Sequence, residues 1–299
     1  MINRRRFITI TAAVTAGAAF MRPEPSVRWH GLAMGADVSI DIGPARDKND
    51  EATLAAAVDT IRRMERLFSI YDPQSALSCL NRDGKIAAEP EFLRLIRLAG
   101  EAHALTGGLF DPTLQPLIAA KMQGRTPTAA ERALVGWNLV DVSEGEIRYL
   151  KPGMAITLNG IAQGFATDRV TEVLASHGFT QTVVNIGEYR VGERLAAIGI
   201  CGAADKILSI ENLKQAAIAT SVPGAIRFSD RTFHILDPQN PDTSPNWASA
   251  SVVATTAAMA DALSTALVLA NGTALAQILA KRTAQTIILE DAKGKIVRI

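Results

Sequence analysis

Apolar and polar positions change period along this chain most sharply between Ala155 and Val191. Ile156-Thr157-Leu158 is a short β-type run, and Asn159-Gly160 marks a turn. From Ala162 onward, Ala162, Ala166, Val170, Val173 and Leu174 fall on one helical face. Gly178 sits where a helix end favours a left-handed residue. Thr182 to Ile186 then reads as a buried strand. The pattern predicts strand, glycine turn, amphipathic helix and second strand. Two readings of the turn stand side by side. It is an ordinary connection, or it is a place where a ligand approaches the backbone and meets free N–H groups.

The same periods organise the rest of the chain. Val27 to Ile42 reads as a strand pair or a bent strand, with Gly35 breaking the alternation at Met34-Gly35-Ala36. Asn49 to Phe68 is helical, and Ser75 is placed to cap a brief helix to Asn81. Glu91 to Leu105 is amphipathic, with Phe92, Leu95, Ile96 and Ala99 on one face. A loop from Met122 to Thr128 leads to a short helix ending at Val135. Leu139–Val142 and Glu146–Leu150 read as a hairpin. Short strands follow at Ala196–Ile200, Ile207–Ile210, Ala217–Thr220, Ala225–Phe228, Phe233–Leu236 and Ser249–Ala254. Helices are expected over Ala257–Leu269 and Ala274–Ala280, and closing strands over Thr286–Leu289 and Ile296–Ile299. This mixture predicts an α+β fold with mixed sheets flanked by helices, not alternating βαβ winding.

The first twenty residues change that picture. Arg4, Arg5 and Arg6 precede Phe7-Ile8, an apolar run extends from Ile10 to Phe20, and Ala16-Gly17-Ala18 offers a cleavage site. A basic start, a short apolar core and small residues make an export signal. The arginine pair in register with Phe7-Ile8 resembles the twin-arginine signal. The run is short for a membrane span. Residues 1–20 are therefore expected to be a signal or anchor, and residues 21–299 one ligand-binding domain. Composition adds exclusions. The net charge is +1, with no basic patch of the kind that binds nucleic acid. Cys79 and Cys201 are far apart in sequence, and two separate thiols are expected in preference to a bridge. The four histidines, His30, His103, His177 and His234, are scattered.

Candidate chemistry collects in four stretches. Leu109-Phe110-Asp111-Pro112-Thr113 puts an acid and an aromatic on a rigid turn. The Gly160 turn is the second. His234-Ile235-Leu236-Asp237-Pro238 ends a strand, where His234 and Asp237 are either a base with its orienter or a polar strand end. Asp261 and Thr265 are i,i+4 on a helix face with Ser264 beside them. They suit a hard cation such as Mg²⁺, or they are a capping acid beside a packed hydroxyl. Tyr71 and Phe110 are candidates for stacking on a flat ring, or for the core.

Taken in order, these stretches resemble a known family. They are Met34-Gly35-Ala36; Phe68-Ser69-Ile70-Tyr71 with Ser75 and Asn81; Gly107 to Thr113 with Pro116-Leu117; Asn159 to Asp168; Asn185-Ile186-Gly187; Thr220-Ser221; His234 to Pro238; and Ala260 to Leu267. The set is similar to the ApbE family of FAD:protein FMN transferases, and covers nearly all of the chain after the leader. The resemblance implies that family's T-fold-related architecture, FAD as substrate, and Mg²⁺ at its pyrophosphate. The FMN half would pass to a threonine or serine of a target flavoprotein, with release of AMP. By motif, Met34, Tyr71, Leu109, Phe110, Asp111, Gln163 and His234 would contact the flavin nucleotide, together with Thr157, where the family usually has Asp. Gly160 through its carbonyl, Asp261, Thr265 and Ser264 would hold the metal. Catalytic roles would fall to Asp261 and to His234 or Asp237 as base.

The chain departs from the family pattern at four places. These are Thr157, Gln163 in place of a commonly charged residue, Glu188-Tyr189 after Gly187, and Val222-Pro223 inserted between Ser221 and Gly224. The resemblance and the leader together predict a periplasmic flavin transferase, exported by the twin-arginine machinery. Its leader is cleaved or retained at the membrane, and its acceptor is a membrane-bound or periplasmic redox subunit. Hydrolysis of FAD to FMN and AMP, and non-catalytic FAD carriage, are the competing expectations.

Overall fold

The computed structural model describes residues 26–44, 49–204, 206–229 and 232–299; the segment expected to be a signal or anchor lies outside them. The alternating Val27–Ile42 region is a strand pair, β1 (Ser26–Ala33) and β2 (Ala36–Pro44), joined antiparallel. Met34 and Gly35 both take positive φ, 49° and 77°, as a tight hairpin turn with the twist of the flanking strands requires. A non-glycine residue is uncommon there. Met34 is held by both backbone groups: its N–H donates to Glu65 Oε1 at 2.7 Å, and its carbonyl accepts from Gln163 Nε2 at 3.0 Å.

Helix α1 (Asn49–Phe68) follows, then α2 (Ala76–Asp83), whose first turn is capped by the Ser75 hydroxyl. Next come β3 (Lys85–Ala87), α3 (Pro90–Leu105), α4 (Gln115–Met122) and the single turn α5 (Ala129–Arg132). The hairpin β4 (Val140–Ser143) and β5 (Glu146–Tyr149) joins β3 in a small sheet. Phe68 meets Phe92 and Phe165 edge-on, with centroids 5.7 and 5.8 Å apart. Each such pair contributes about 1 kcal/mol beyond area burial, locking α1 and α3 to the next helix, α6 (Ala162–Ser176).

Ile156–Leu158, expected as a strand, belongs to no sheet. Its backbone groups find other partners. The Asn81 amide donates to Ile156 O and accepts from Ile156 N, both at 2.8 Å, and Thr157 N donates to Pro112 O at 2.8 Å. One side chain thus imitates a neighbouring strand and satisfies a buried segment.

After α6, Gly178 takes the left-handed φ of 83° expected of a helix stop. The chain continues through β6 (Val183–Ile186), β7 (Tyr189–Val191), β8 (Ala196–Cys201), β9 (Ile207–Leu213), β10 (Ala216–Ser221), β11 (Arg227–Ser229), β12 (Thr232–Phe233) and β13 (Ser249–Ala254). Helices α7 (Ala257–Leu267) and α8 (Gly272–Ala280) precede β14 (Ala284–Glu290) and β15 (Ile296–Arg298). The strand expected at Phe233–Leu236 stops at Phe233. Leu236 instead turns inward to pack on Leu114 and Leu117.

The main sheet runs β1-β2-β6-β7-β10-β13-β14-β15. Every described ladder is antiparallel, so the α+β fold carries antiparallel rather than mixed sheets. Hairpins join β1–β2, β6–β7 and β14–β15, and the helical crossovers return the chain in alternating sense. Side chains on β10, β13 and β14 alternate between two cores. Ala219, Ala250, Val252, Ala254, Ile287 and Leu289 face α7 and α8; Ile218, Val253 and Ile288 face the β8–β9 hairpin. Both faces are dry there, which explains why Ser249–Ala254 is continuously buried. Cys79 and Cys201 form no disulfide.

Candidate active site

Two helix starts meet at the end of the sheet that carries the Met34-Gly35 and Gly187-Glu188 turns. Gly164, in the first turn of α6, lies against the first residues of α7. A Cβ at Gly164 would sit 2.2 Å from Ala257 O and 2.8 Å from Ala258 Cα, so the two backbones touch. The Asp168 carboxylate, one turn further along α6, accepts from Ala257 N and Ala258 N, each at 2.9 Å, and pairs with Arg190 at 2.7 Å. It satisfies N–H groups that a helix start leaves open. Thr256 caps a third, Met259 N.

This clamp fixes the face of α7 that carries Asp261, Ser264 and Thr265. Asp261 is 4% exposed, and its Oδ2 accepts from Gly164 N at 3.2 Å. Burial pushes its carboxyl up to about 7. Gly160 lies against Thr265: an added Cβ would be 2.8 Å from Thr265 Oγ1 and 3.3 Å from the Phe110 ring. Ser221, at the end of β10, places its hydroxyl 2.8 Å from Ser264 Oγ and 3.3 Å from Thr265 Oγ1. Ser264 is fully buried and also donates to Asp261 O at 2.9 Å, so its hydroxyl is already engaged twice. A buried carboxylate one turn before the Thr265 hydroxyl, on a helix that Ser221 and the tight Gly160 turn also meet, and with no ion-pair partner among the described residues, supplies oxygens of the kind a hard cation takes.

His234 lies beyond the loop that follows Ser221. Its Nδ1 is 3.2 Å from Pro223 O and 3.1 Å from Ile226 O. Carbonyls only accept, so Nδ1 carries the hydrogen, and Nε2 of the neutral ring is left with a lone pair. Burial lowers the pKa of the ring from its ordinary value of 6.5, which keeps it neutral. Asp237 does not orient it. The Asp237 carboxylate accepts from Gln239 N at 2.8 Å and Asn240 N at 3.2 Å, closing its own turn before the Pro241 loop.

The remaining sequence candidates fall into two groups. Met34, Gln163, Phe110 and Gly160 are linked to the cluster. Gln163 reaches from α6 to Met34 O, and its amide occupies the space a Cβ on Gly187 would fill, 2.8 Å away. Asp111, next to Phe110, accepts from the N–H and hydroxyl of Thr113 at 2.8 and 2.6 Å, with His103 Nδ1 3.8 Å from its other oxygen. Thr157 docks on Pro112 and uses its hydroxyl to accept from Asn159 N at 3.3 Å. Leu109 lies at the border of the two helix-side cores. Tyr71 stands apart on the α1–α2 loop, 71% exposed. No hydrogen bond or ring contact joins Tyr71 or Asp237 to Asp261 among the described residues.

Three participants had no role assigned from the sequence: Ser221, Asp168 and Glu188. Asp168 leaves a signal, because it stands one turn after Gly164 on the buried face of α6, between Ala166 and Val170. Ser221 and Glu188 stand out in the sequence only as a motif residue and as a departure from the family pattern, and no role follows from that, since their partners lie 32 to 44 positions away.

Fold and site together define an α+β protein that gathers carboxylate and hydroxyl oxygens at two helix starts, with a neutral histidine on the segment after Ser221. A family model, the ApbE family, matches residues 34–288, and the chain belongs to that family. An FAD:protein FMN transferase of Buchnera aphidicola subsp. Schizaphis graminum (strain Sg) is 28% identical over 228 residues, 66% of this chain and 66% of that protein. One from Vibrio cholerae serotype O1 is 25% identical over 199 residues, 61% of this chain and 59% of that protein. The aligned stretch thus spans a little under two thirds of these relatives. The ApbE protein of Thermotoga maritima MSB8, 25% identical, superposes with a TM-score of 0.80 over 92% of this chain and 97% of that one. The apo flavinyl transferase ApbE of Pseudomonas stutzeri gives 0.78 at 22% identity over 93% and 96%, a likeness of fold.

Proposed function

We propose that this protein transfers the FMN half of FAD to a threonine or serine hydroxyl of an acceptor flavoprotein and releases AMP. The observation that carries the reading is the packing of Gly160 on Thr265, one turn after the buried Asp261, within a chain of this family, with a neutral His234 on the segment that follows Ser221. Gly160 by its carbonyl, Asp261 and Thr265 would hold Mg²⁺, with Ser264 and Ser221 fixing the Thr265 hydroxyl. A cation there supplies Lewis acidity to the pyrophosphate and neutralises charge developing on the AMP leaving group.

The chain's own residues do the rest. The Met34 turn, Gln163 and the Phe110-Asp111 loop frame the nucleotide and hold it in line. The acceptor hydroxyl oxygen bonds to the FMN phosphorus, the bond from that phosphorus to the bridging oxygen breaks, and AMP departs with the bridging oxygen. His234 Nε2 takes the proton of the attacking hydroxyl. Asp237, closed into its own turn, is left with a structural part.

The leader motif supports a periplasmic location reached through the twin-arginine machinery, with a membrane-bound or periplasmic redox subunit as acceptor. Among the described residues no helix is long and apolar enough to cross a membrane. Incubation with FAD, Mg²⁺ and a flavoprotein subunit from the same organism should leave flavin fluorescence on the denatured acceptor band. Magnesium-dependent AMP release with no labelled acceptor would favour the hydrolytic reading instead.

A further inference from the structure

Glu188 is one of the places where the chain departs from the family pattern, and the fold buries it. Gly187, at φ 88°, turns the chain over the Gln163 amide. Glu188 follows at 6% exposure. Its Oε2 accepts from Thr220 N at 3.2 Å, and its Oε1 accepts nothing from the described residues. Thr220 precedes Ser221, whose hydroxyl lies 2.8 Å from Ser264 Oγ and 3.3 Å from Thr265 Oγ1, so Glu188 is tied to the strand end that meets the Asp261 helix, and Asp261 is the charged group that bears on it. No arginine, lysine or histidine among the described residues forms an ion pair with either acid; Arg190, the nearest in sequence, is committed to Asp168. Asp41, by contrast, pairs directly with Arg28 and Arg194.

Two buried carboxyls brought to one strand end without a cationic side chain are unfavourable as a pair of anions unless something neutralises them. The surrounding groups are hard oxygen donors: Thr265, Ser221 and the Gly160 turn. We propose that Glu188 is a second carboxylate of the cation site centred on Asp261, and that it strengthens divalent-cation binding in this chain. Two carboxylates and one dication balance in charge, and each free oxygen gains the electropositive partner that the protein does not provide. The inference rests on the reading of Asp261 as a metal-binding residue.

Calorimetric titration of Mg²⁺ into the FAD-free protein tests it, with electron paramagnetic resonance of bound Mn²⁺ as a second measure. Glu188→Gln keeps the size and the acceptor for Thr220 N, and circular dichroism checks its fold. The expected result is a loss of about tenfold or more in cation affinity, with the metal-free melting temperature unchanged or raised. Asp261→Ala should abolish binding. Wild-type binding lost in Asp261→Ala but unchanged in Glu188→Gln would overturn the role of Glu188 alone. No cation binding by the wild type would overturn both this inference and the metal site beneath it.

Discussion

At His234, burial rather than a carboxylate partner sets the chemistry. Its lowered pKa has a definite sign. The unfolded chain binds the proton more readily, so this group's contribution to stability is present at neutral pH and is lost as pH falls below the ordinary histidine value of about 6.5. Acceptor labelling needs the unprotonated Nε2 and should follow the same direction. Its acid limb, measured as rate against pH at saturating FAD and Mg²⁺, should fall below about 6.5; a limb centred above that value would contradict the assignment. His234→Gln should slow labelling about 10²- to 10⁴-fold while FAD still binds. Asp237→Asn should leave labelling within about threefold, because its acceptor oxygen still serves Gln239 N and Asn240 N, a change well short of what losing a catalytic base costs.

The α6–α7 junction is the element on which the cation site depends. Asp168→Ala would leave Ala257 N, Ala258 N and Arg190 without their acceptor at a buried helix start. Urea denaturation should show a loss of about 3 kcal/mol. Gly164→Ala drives a methyl into the Ala257 carbonyl and should cost about 1–3 kcal/mol; its cation affinity should fall as well, because α7 must move away. Much of this level was legible in the sequence. Asn49–Phe68 and Ser249–Ala254 form elements with the expected ends, since their apolar patterns report burial against a helix or a sheet directly. Asp261 and Thr265 were visible as a pair because four-residue spacing on a helix fixes a shared face. Ile156–Leu158 was misread because its partner is a side chain 75 positions away, Asn81, which local pattern cannot carry. Glu188 and Ser221 were visible only as a departure and a motif residue, and their roles stayed hidden for the same reason: the neighbour order of β7, β10 and α7 sets their contacts.

Across the whole molecule, the site is assembled from segments between Met34 and Thr265, gathered at one end of an antiparallel sheet whose central strands β10, β13 and β14 are covered on both faces. Ligands bound there hold the entire fold and not one lobe of it. FAD and Mg²⁺ together should therefore raise the melting temperature of the whole protein in a single transition. The stabilisation is about 2.7 kcal/mol at a hundredfold excess over Kd, and Asp261→Ala should abolish the metal-dependent part. The most direct test of the transferase reading is intact-mass measurement of the acceptor subunit after incubation with FAD and Mg²⁺, with AMP quantified in the same reaction. The predicted result is an acceptor heavier by one FMN, AMP released in equal amount, and neither change with Asp261→Ala. An acceptor of unchanged mass alongside Asp261-dependent AMP release would contradict it.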